Sequence, residues 1–370
     1  MTIYFGVAAL VGLASALSVA ASNFFLTTGG RAIQVVRAAE RRARPAGRWT
    51  VFDVLALVVL LTFSAMRYQV GTDFASYYAL YNRLDPADWR EALASSPMEA
   101  GYTGLSLLSR SVSDSPYLIF WVTSALTIIP VYWTIKKQSV DPTMSLLLYV
   151  LLAFFVTPFN LIRQGIALSL NFWADSYLDH NKKAFVVINA IAATFHTSVL
   201  LIVVVQFVAR RWRPSVKLLT AVTLAGLVAV VFHLRIGALA FWLNALNPRY
   251  EGYVVDQRVA GVGTYLLIAA RLGLLLFVLA FASNSIREGS TRRHATYVTF
   301  GLFFLFLGTQ SVVISRMELY FGIFLVLLIP NTLGARRALL DKTLIVALSV
   351  VYLGFFLTSY ASLLPYQARQ

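Results

Sequence analysis

The sequence contains no cysteine, and that absence removes disulfide bracing, thiolate nucleophiles and cysteine-ligated metals from consideration. Histidine is scarce: His180, His196, His233 and His294 stand far apart and form no metal-ligand cluster. Charge is scarce too, at 13% of residues where a soluble domain carries roughly a quarter. Acidic side chains are the thinnest class, sixteen against thirty-one Lys and Arg. No internal repeat is visible. An ordinary soluble enzyme, a disulfide scaffold and a repeat array are thereby excluded, and neither a metal nor another cofactor is expected.

What is there is apolar: 59% hydrophobic residues and a mean hydropathy of +0.72. At about twenty residues per crossing, the expected fold class is all-α, a polytopic membrane protein of about ten transmembrane helices plus a re-entrant helical hairpin and exterior interfacial helices. Residues 1–370 read as a single integral membrane domain. A formal charge of +15 would suit nucleic acid, but placement argues otherwise. Twenty of the thirty-one basic residues fall in six short clusters between apolar runs, the pattern of loops retained on the cytoplasmic side. The expected partner is the lipid bilayer, not nucleic acid. The other eleven basic residues are all Arg.

Residues 3–26 read as a first span with its N-terminus outside, because no basic residue precedes it and six Arg follow between 31 and 48. That basic segment suits a helix lying on anionic headgroups. Residues 51–66 return outward and make 67–115 an exterior loop, where Asp73, Asp85, Asp88, Glu91, Glu99 and Asp114 gather. Helices are expected over 73–83 and from Met98 onward. In the latter, Met98, Tyr102, Leu105, Leu108 and Val112 recur at helical spacing, with Glu99, Thr103, Ser106 and Arg110 on another face.

Spans at 117–135, 143–156 and 161–178 follow, so Arg163 and Gln164 sit one turn inside the outer end of a helix. The run 184–208 is the pivot. As one span it would turn every later basic cluster outward; as a re-entrant hairpin with Phe195-His196 at its tip, it keeps them inside. The hairpin is adopted, although broken backbone at membrane depth needs protein or a water-filled cavity around it. A span at 217–234, an exterior loop at 235–262 and spans at 263–282, 295–314, 316–328 and 344–364 complete the reading, with both termini outside.

This topology brings Arg67, Asp73, Glu99, Arg163, Gln164, Arg249, Tyr250, Arg316 and Glu318 to one depth, with His196 at the hairpin tip. Guanidinium groups bind phosphate oxygens bidentately and keep their charge, while carboxylates and histidine can move a proton. Each residue also has a plain structural alternative. Asp73 could cap a helix, Glu99 could sit favourably at a helix N-terminus, and Arg163 could snorkel to headgroups. His196 could bond backbone at the break, and Arg249-Tyr250 could be interfacial residues without a role. Arg271, in mid-span, is expected to satisfy a neighbouring carbonyl or carboxylate and stays outside the site.

The chain resembles the EpsG and Wzy-type polysaccharide polymerases, integral membrane enzymes of bacterial exopolysaccharide, capsule and O-antigen synthesis. The resemblance is carried by Arg67 with Gly71-Thr72-Asp73 and Tyr77, Glu99 with Gly101-Tyr102, Arg163-Gln164-Gly165-Ile166-Ala167, Phe195-His196-Thr197-Ser198, and Arg316 with Tyr320-Phe321, in order from roughly residue 50 to 330. It implies a GT-C-like glycosyltransferase at the outer face of the cytoplasmic membrane, joining undecaprenyl-diphosphate-linked oligosaccharides. Glu99, Asp73 and His196 would be the catalytic acid–base groups. Arg67, Arg163, Gln164, Arg249, Tyr250, Arg316 and Tyr320 would bind substrate. A chain-length regulator or flippase of the same pathway would be a partner. An O-antigen ligase-like transferase and a flippase of lipid-linked sugars are the competing readings; the latter would call for a midplane path and repeated halves.

Overall fold

The computed structural model describes residues 1–28, 49–231, 261–281, 289–334, 339–359 and 362–369. Among them the regular elements are helices, and the β-type pairing is an isolated bridge between Arg67 and Ala368. In chain order the α-helices are α1 (Thr2–Thr28), α2 (Val51–Ala65), α3 (Phe74–Arg83), α4 (Trp89–Ser95), α5 (Ala100–Val112), α6 (Tyr117–Gln138), α7 (Pro142–Leu151), α8 (Ile162–Ala174), α9 (Lys182–Phe195), α10 (Val199–Ala209), α11 (Val216–Val231), α12 (Val262–Phe281), α13 (Gly289–Gly308), α14 (Val312–Ser315), α15 (Glu318–Gly322), α16 (Leu325–Leu333) and α17 (Leu339–Ser359).

Helix α8 is the axis. Eleven of its thirteen residues are buried, and the two that are not are Arg163 and Trp173. A helix covered on every side belongs to the centre of a bundle, and α6, α9, α10 and α15 supply that cover. The outside of the protein is apolar instead: Leu13, Val54, Ile191, Val204, Leu266 and Val351 all face outward. Exposed apolar surface spread over so many helices would be untenable in water and is what a bilayer solvates.

Among the described residues, four helical stretches are long and apolar enough to cross a membrane: Thr2–Ala21, Tyr117–Gln138, Gly263–Ala280 and Leu340–Ser359. Val51–Ala65, Pro142–Leu151, Val199–Ala209, Val216–Val231 and Glu318–Leu333 are apolar but shorter. The helix lengths of the described residues therefore do not by themselves supply the ten full crossings expected. The run expected over 143–156 stops being helical at Leu151, where Ala153 takes a positive φ of 64° and the chain turns through a 3₁₀ segment at Thr157–Phe159. The run expected over 316–328 is divided at Ile323–Phe324 between α15 and α16.

The chain doubles back between α9 and α10. Asn189 and Gln206 would lie about 25 Å apart on one straight helix, yet Asn171 of α8 donates to both, at 2.8 and 2.9 Å, and accepts from Gln206. With 14 and 11 residues, neither arm spans a hydrocarbon core of about 30 Å by itself. The bundle consequently has two distinct ends. At one, Lys136 pairs with Asp53 (2.8 Å), Gln138 bonds Ser176, Lys342 pairs with Asp141 (2.8 Å) and Arg293 clasps Asp175, which ties several basic clusters together. At the other, Thr72 bonds Asn160, and Tyr68 and Met66 pair with the C-terminal segment at Gln367 and Arg369. Helix α8 runs between them, with Arg163 at one end and Asp175 just past the other. The expected basic helix at 31–48 and nearly all of the loop at 235–262 lie outside the described residues.

Arg271 meets Glu318 at 2.7 Å, both almost fully buried. Removing one member of such a pair strands the other's charge, whereas replacing both with apolar groups is often neutral. Glu318→Gln should therefore destabilise the protein by about 3–5 kcal/mol, and adding Arg271→Met to Glu318→Leu should restore most of that loss. Thermal unfolding in detergent measures both.

Candidate functional site

The site forms where α8 presents its one charged residue. Arg163 stands on the first turn of a helix whose other residues, Trp173 apart, are buried, so its guanidinium needs an anion nearby. That anion is Glu99: Nη1 of Arg163 donates to Oε2 of Glu99 in a short ion pair. The other oxygen, Oε1, lies 3.1 Å from Nδ1 of His196 at the hairpin break. Two residues from separate segments, Arg163 and His196, thus share one carboxylate from a third. Tyr77 of α3 closes the group, its hydroxyl 3.5 Å from Nε of Arg163. Nη2 of Arg163 has no partner among the described residues, and the side chain is a quarter exposed.

Local sequence explains how these groups meet. Glu99 occupies the N-cap position of α5 without making a side-chain cap bond, so its carboxylate is available to Arg163 and His196. Helix α5 turns its small polar face inward, burying Thr103 and Ser106, while Leu108 and Val112 are 57% and 80% exposed. Gly101 lets that face approach α9: a Cβ there would lie 2.4 Å from Oγ1 and 2.7 Å from the carbonyl oxygen of Thr194. The α9 helix ends at Phe195 and His196 takes extended backbone, which swings the imidazole toward Glu99. Gly71, at a φ of 95°, packs its Cα against Asn160, whose side-chain oxygen accepts from the Thr72 backbone at 2.7 Å.

Burial by itself would raise the Glu99 carboxyl. The hydrogen bond from His196 and the positive charge of Arg163 outweigh it and hold the group down at about 2. Glu99 is therefore an anion throughout the physiological range, and an ionised carboxylate on Nδ1 requires that nitrogen to carry the proton. The His196 ring is fixed in the tautomer that leaves Nε2 able to accept one.

The remaining expected residues distribute themselves differently. Arg316 sits at the α14–α15 turn, half-buried, and its side chain has no partner among the described residues. Gln164 is buried and donates to the Arg316 backbone carbonyl at 2.7 Å, so it positions that turn and does not face outward as a substrate ligand. Tyr320 is fully buried and lies 3.3 Å from Ser198, pinning α15 to the hairpin tip. Arg67 is not in the cluster at all. It is 2% exposed, stacked between the rings of Phe120 and Phe159 (4.9 and 4.7 Å) and bonded to the Ser64 carbonyl, an interior brace with no exposed surface for a phosphate. Asp73 precedes α3 but makes no side-chain cap; it accepts from Thr72 at 3.1 Å and lies one turn before Tyr77. Arg249 and Tyr250 lie outside the described residues. Sequence reading passed over Asn160, the anchor of the Gly71-Thr72-Asp73 turn; an asparagine in an apolar run three residues before Arg163 was the available signal.

The family model described as the EpsG family matches residues 50–368. No curated protein and no solved structure matches. The matched span takes in every residue of the cluster around Glu99.

Two outcomes follow from the geometry. Gly101→Ala should push α5 off Thr194 and pull Glu99 away from His196, an overpacking cost of about 1–3 kcal/mol that thermal unfolding in detergent measures. Glu99 has a depressed folded-state pKa, so its contribution to stability is complete above about pH 4.5 and is lost as pH falls toward 2. Unfolding temperatures at pH 7 and pH 3 should accordingly differ less in Glu99→Gln than in the wild type.

Proposed function

Because the chain belongs to the EpsG family, a family of glycosyltransferase-like polysaccharide polymerases, we propose that it lengthens a polysaccharide by joining lipid-diphosphate-linked glycan units. The observation that carries the reading is the single carboxylate shared by Arg163 and His196 at one end of the bundle. In the proposed reaction an acceptor hydroxyl on the incoming unit attacks the anomeric carbon of the growing glycan. The bond from that carbon to the diphosphate oxygen breaks, and the hydroxyl proton passes to Nε2 of His196. Glu99 holds the ring in the accepting tautomer and offsets the charge that forms on it. The diphosphate leaves as an anion, and the unpaired nitrogen of Arg163 and the guanidinium of Arg316 stabilise its developing charge. Asp73, at the same end, is the second acidic group available to orient the acceptor.

The placement of the basic clusters supports an exterior site. Several are bonded together at the opposite end of the bundle, and basic loops are retained in the cytoplasm. An exterior site has no nucleotide sugars to draw on, which favours a donor already activated on a lipid, with undecaprenyl diphosphate as the expected carrier. The bacterial cytoplasmic membrane is the corresponding location. A flippase is less well supported, since the buried polar groups Arg271 and Glu318 pair with one another and the Asn171, Asn189 and Gln206 amides bond among themselves.

Glu99→Gln and His196→Gln should each stop chain lengthening and leave single lipid-linked units, seen as loss of the ladder on a glycan gel at unchanged protein level. Normal ladders in both would contradict the assignment. Arg316→Ala, which removes a cation from the leaving group, should lower the rate by roughly 10²–10³-fold in a purified lengthening assay.

A further inference from the structure

The opposite end of the bundle holds a second polar feature that the polymerase reading does not use. A cavity of about 450 Å³ opens there, lined by Asp179, Arg210, Arg211, Gly289, Arg292 and Arg293. It lies where three elements meet: the segment after α8, the end of α10 and the first turn of α13. The lining sets four guanidiniums against one carboxylate. Among the described residues, Arg293 is the one of the four paired with carboxylates, Asp175 (2.8 Å) and Asp179. Arg210 lies over the Phe207 ring at 4.1 Å, a contact that leaves its N–H edge available. Arg211 and Arg292 have no carboxylate partner among the described residues, and Nε of Arg292 is buried without any hydrogen-bond acceptor. A buried donor left unpaired is costly and calls for an acceptor.

The depth of the cavity narrows the chemistry. Val204 and Val208 of α10 face outward within the apolar belt, and Trp212 is exposed just beyond them. An aromatic at the edge of an apolar band marks the headgroup level, and Arg210 and Arg211 sit between Val208 and Trp212. We propose that this cavity binds a phosphate-bearing ligand, held by Arg210, Arg211 and Arg292, with Arg293 kept in place by Asp175 and Asp179. Planar guanidiniums match phosphate oxygens bidentately, and a basic pocket between helices at the membrane edge suits an anionic headgroup. The volume falls within the range of ligand pockets, roughly 300–1,000 Å³, and is larger than one phosphate needs. A bound phosphate would tie the last turn of α10 to the first turn of α13 and so steady the arm whose far end carries His196. The proposal rests on the cavity and the membrane edge, not on the chemistry proposed for Glu99.

The test uses the purified full-length chain in neutral detergent. Unfolding temperature is measured with added phosphatidylglycerol, with phosphatidylcholine, and with inorganic pyrophosphate, for the wild type, for Arg211→Gln with Arg292→Gln, and for Arg211→Lys with Arg292→Lys. A phosphate site predicts stabilisation by phosphatidylglycerol or pyrophosphate but not by phosphatidylcholine, weakened on the order of tenfold in apparent affinity by the Gln pair and less by the Lys pair. Stabilisation by phosphatidylglycerol alone identifies a lipid headgroup; stabilisation by pyrophosphate alone identifies a soluble phosphate. If the Gln pair does not fold, the Lys pair decides, because its affinity must still fall below that of the wild type. Equal stabilisation of all variants, or none in the wild type, overturns the site.

Discussion

A guanidinium on a helix that is buried on every side has to be given an anion, and the architecture at this end of the protein follows from that demand. Arg163 stands on the first turn of α8, whose other residues are nearly all covered. Glu99 meets it from the start of α5, which packs against α9 with Gly101 at Thr194. Once there, the carboxylate has a second oxygen, and His196 takes it. One electrostatic requirement thus links the start of α5, the central helix and the turn between α9 and α10, and leaves an imidazole nitrogen and part of a guanidinium without a partner among the described residues.

The surrounding polar residues serve that arrangement. Gln164 holds the Arg316 turn through its carbonyl, Tyr320 reaches Ser198, and Asn160 fixes the turn that opens α3. Deeper, Asn171 bonds both arms of the hairpin and spares the broken backbone from facing lipid unsupported. Arg67 does related work by another route: two aromatic faces and a carbonyl accommodate its charge in place of a carboxylate. The functional consequence is a site made of few exposed groups on a framework whose rigidity comes from buried hydrogen bonds.

Much of this was legible in the sequence. The apolar composition identifies the helical membrane class, and an arginine one turn inside an apolar helix announces a need for an anion. Phe195-His196 interrupting an otherwise continuous apolar run marked the place where the chain turns. What could not be read was partnership. Nothing in the periodicity of α5 says that its hydroxyl face is the buried one, because a membrane reverses the usual sense of inside and outside. Arg67 resembles the other outer arginines in sequence and differs only in having Phe120 and Phe159, both distant along the chain, on either side of it. The breaks within two expected spans were hidden for a similar reason: hydropathy over 143–156 and 316–328 is continuous, whereas the backbone breaks at Ala153 and at Ile323–Phe324. Asp175 shows the opposite limit, an unremarkable carboxylate in sequence that gathers Arg293 and His294 in the interior.

The central claim is that Glu99 works through His196, holding an imidazole that takes the acceptor proton. The residual lengthening rates of purified Glu99→Gln, His196→Gln and the double variant, supplied with lipid-linked units, test it most directly. If Glu99 acts through the imidazole, the double variant should lose little more than His196→Gln alone, because residues that act as a unit are not additive. Losses that multiply in the double variant, or wild-type rates in either single variant, would contradict the account.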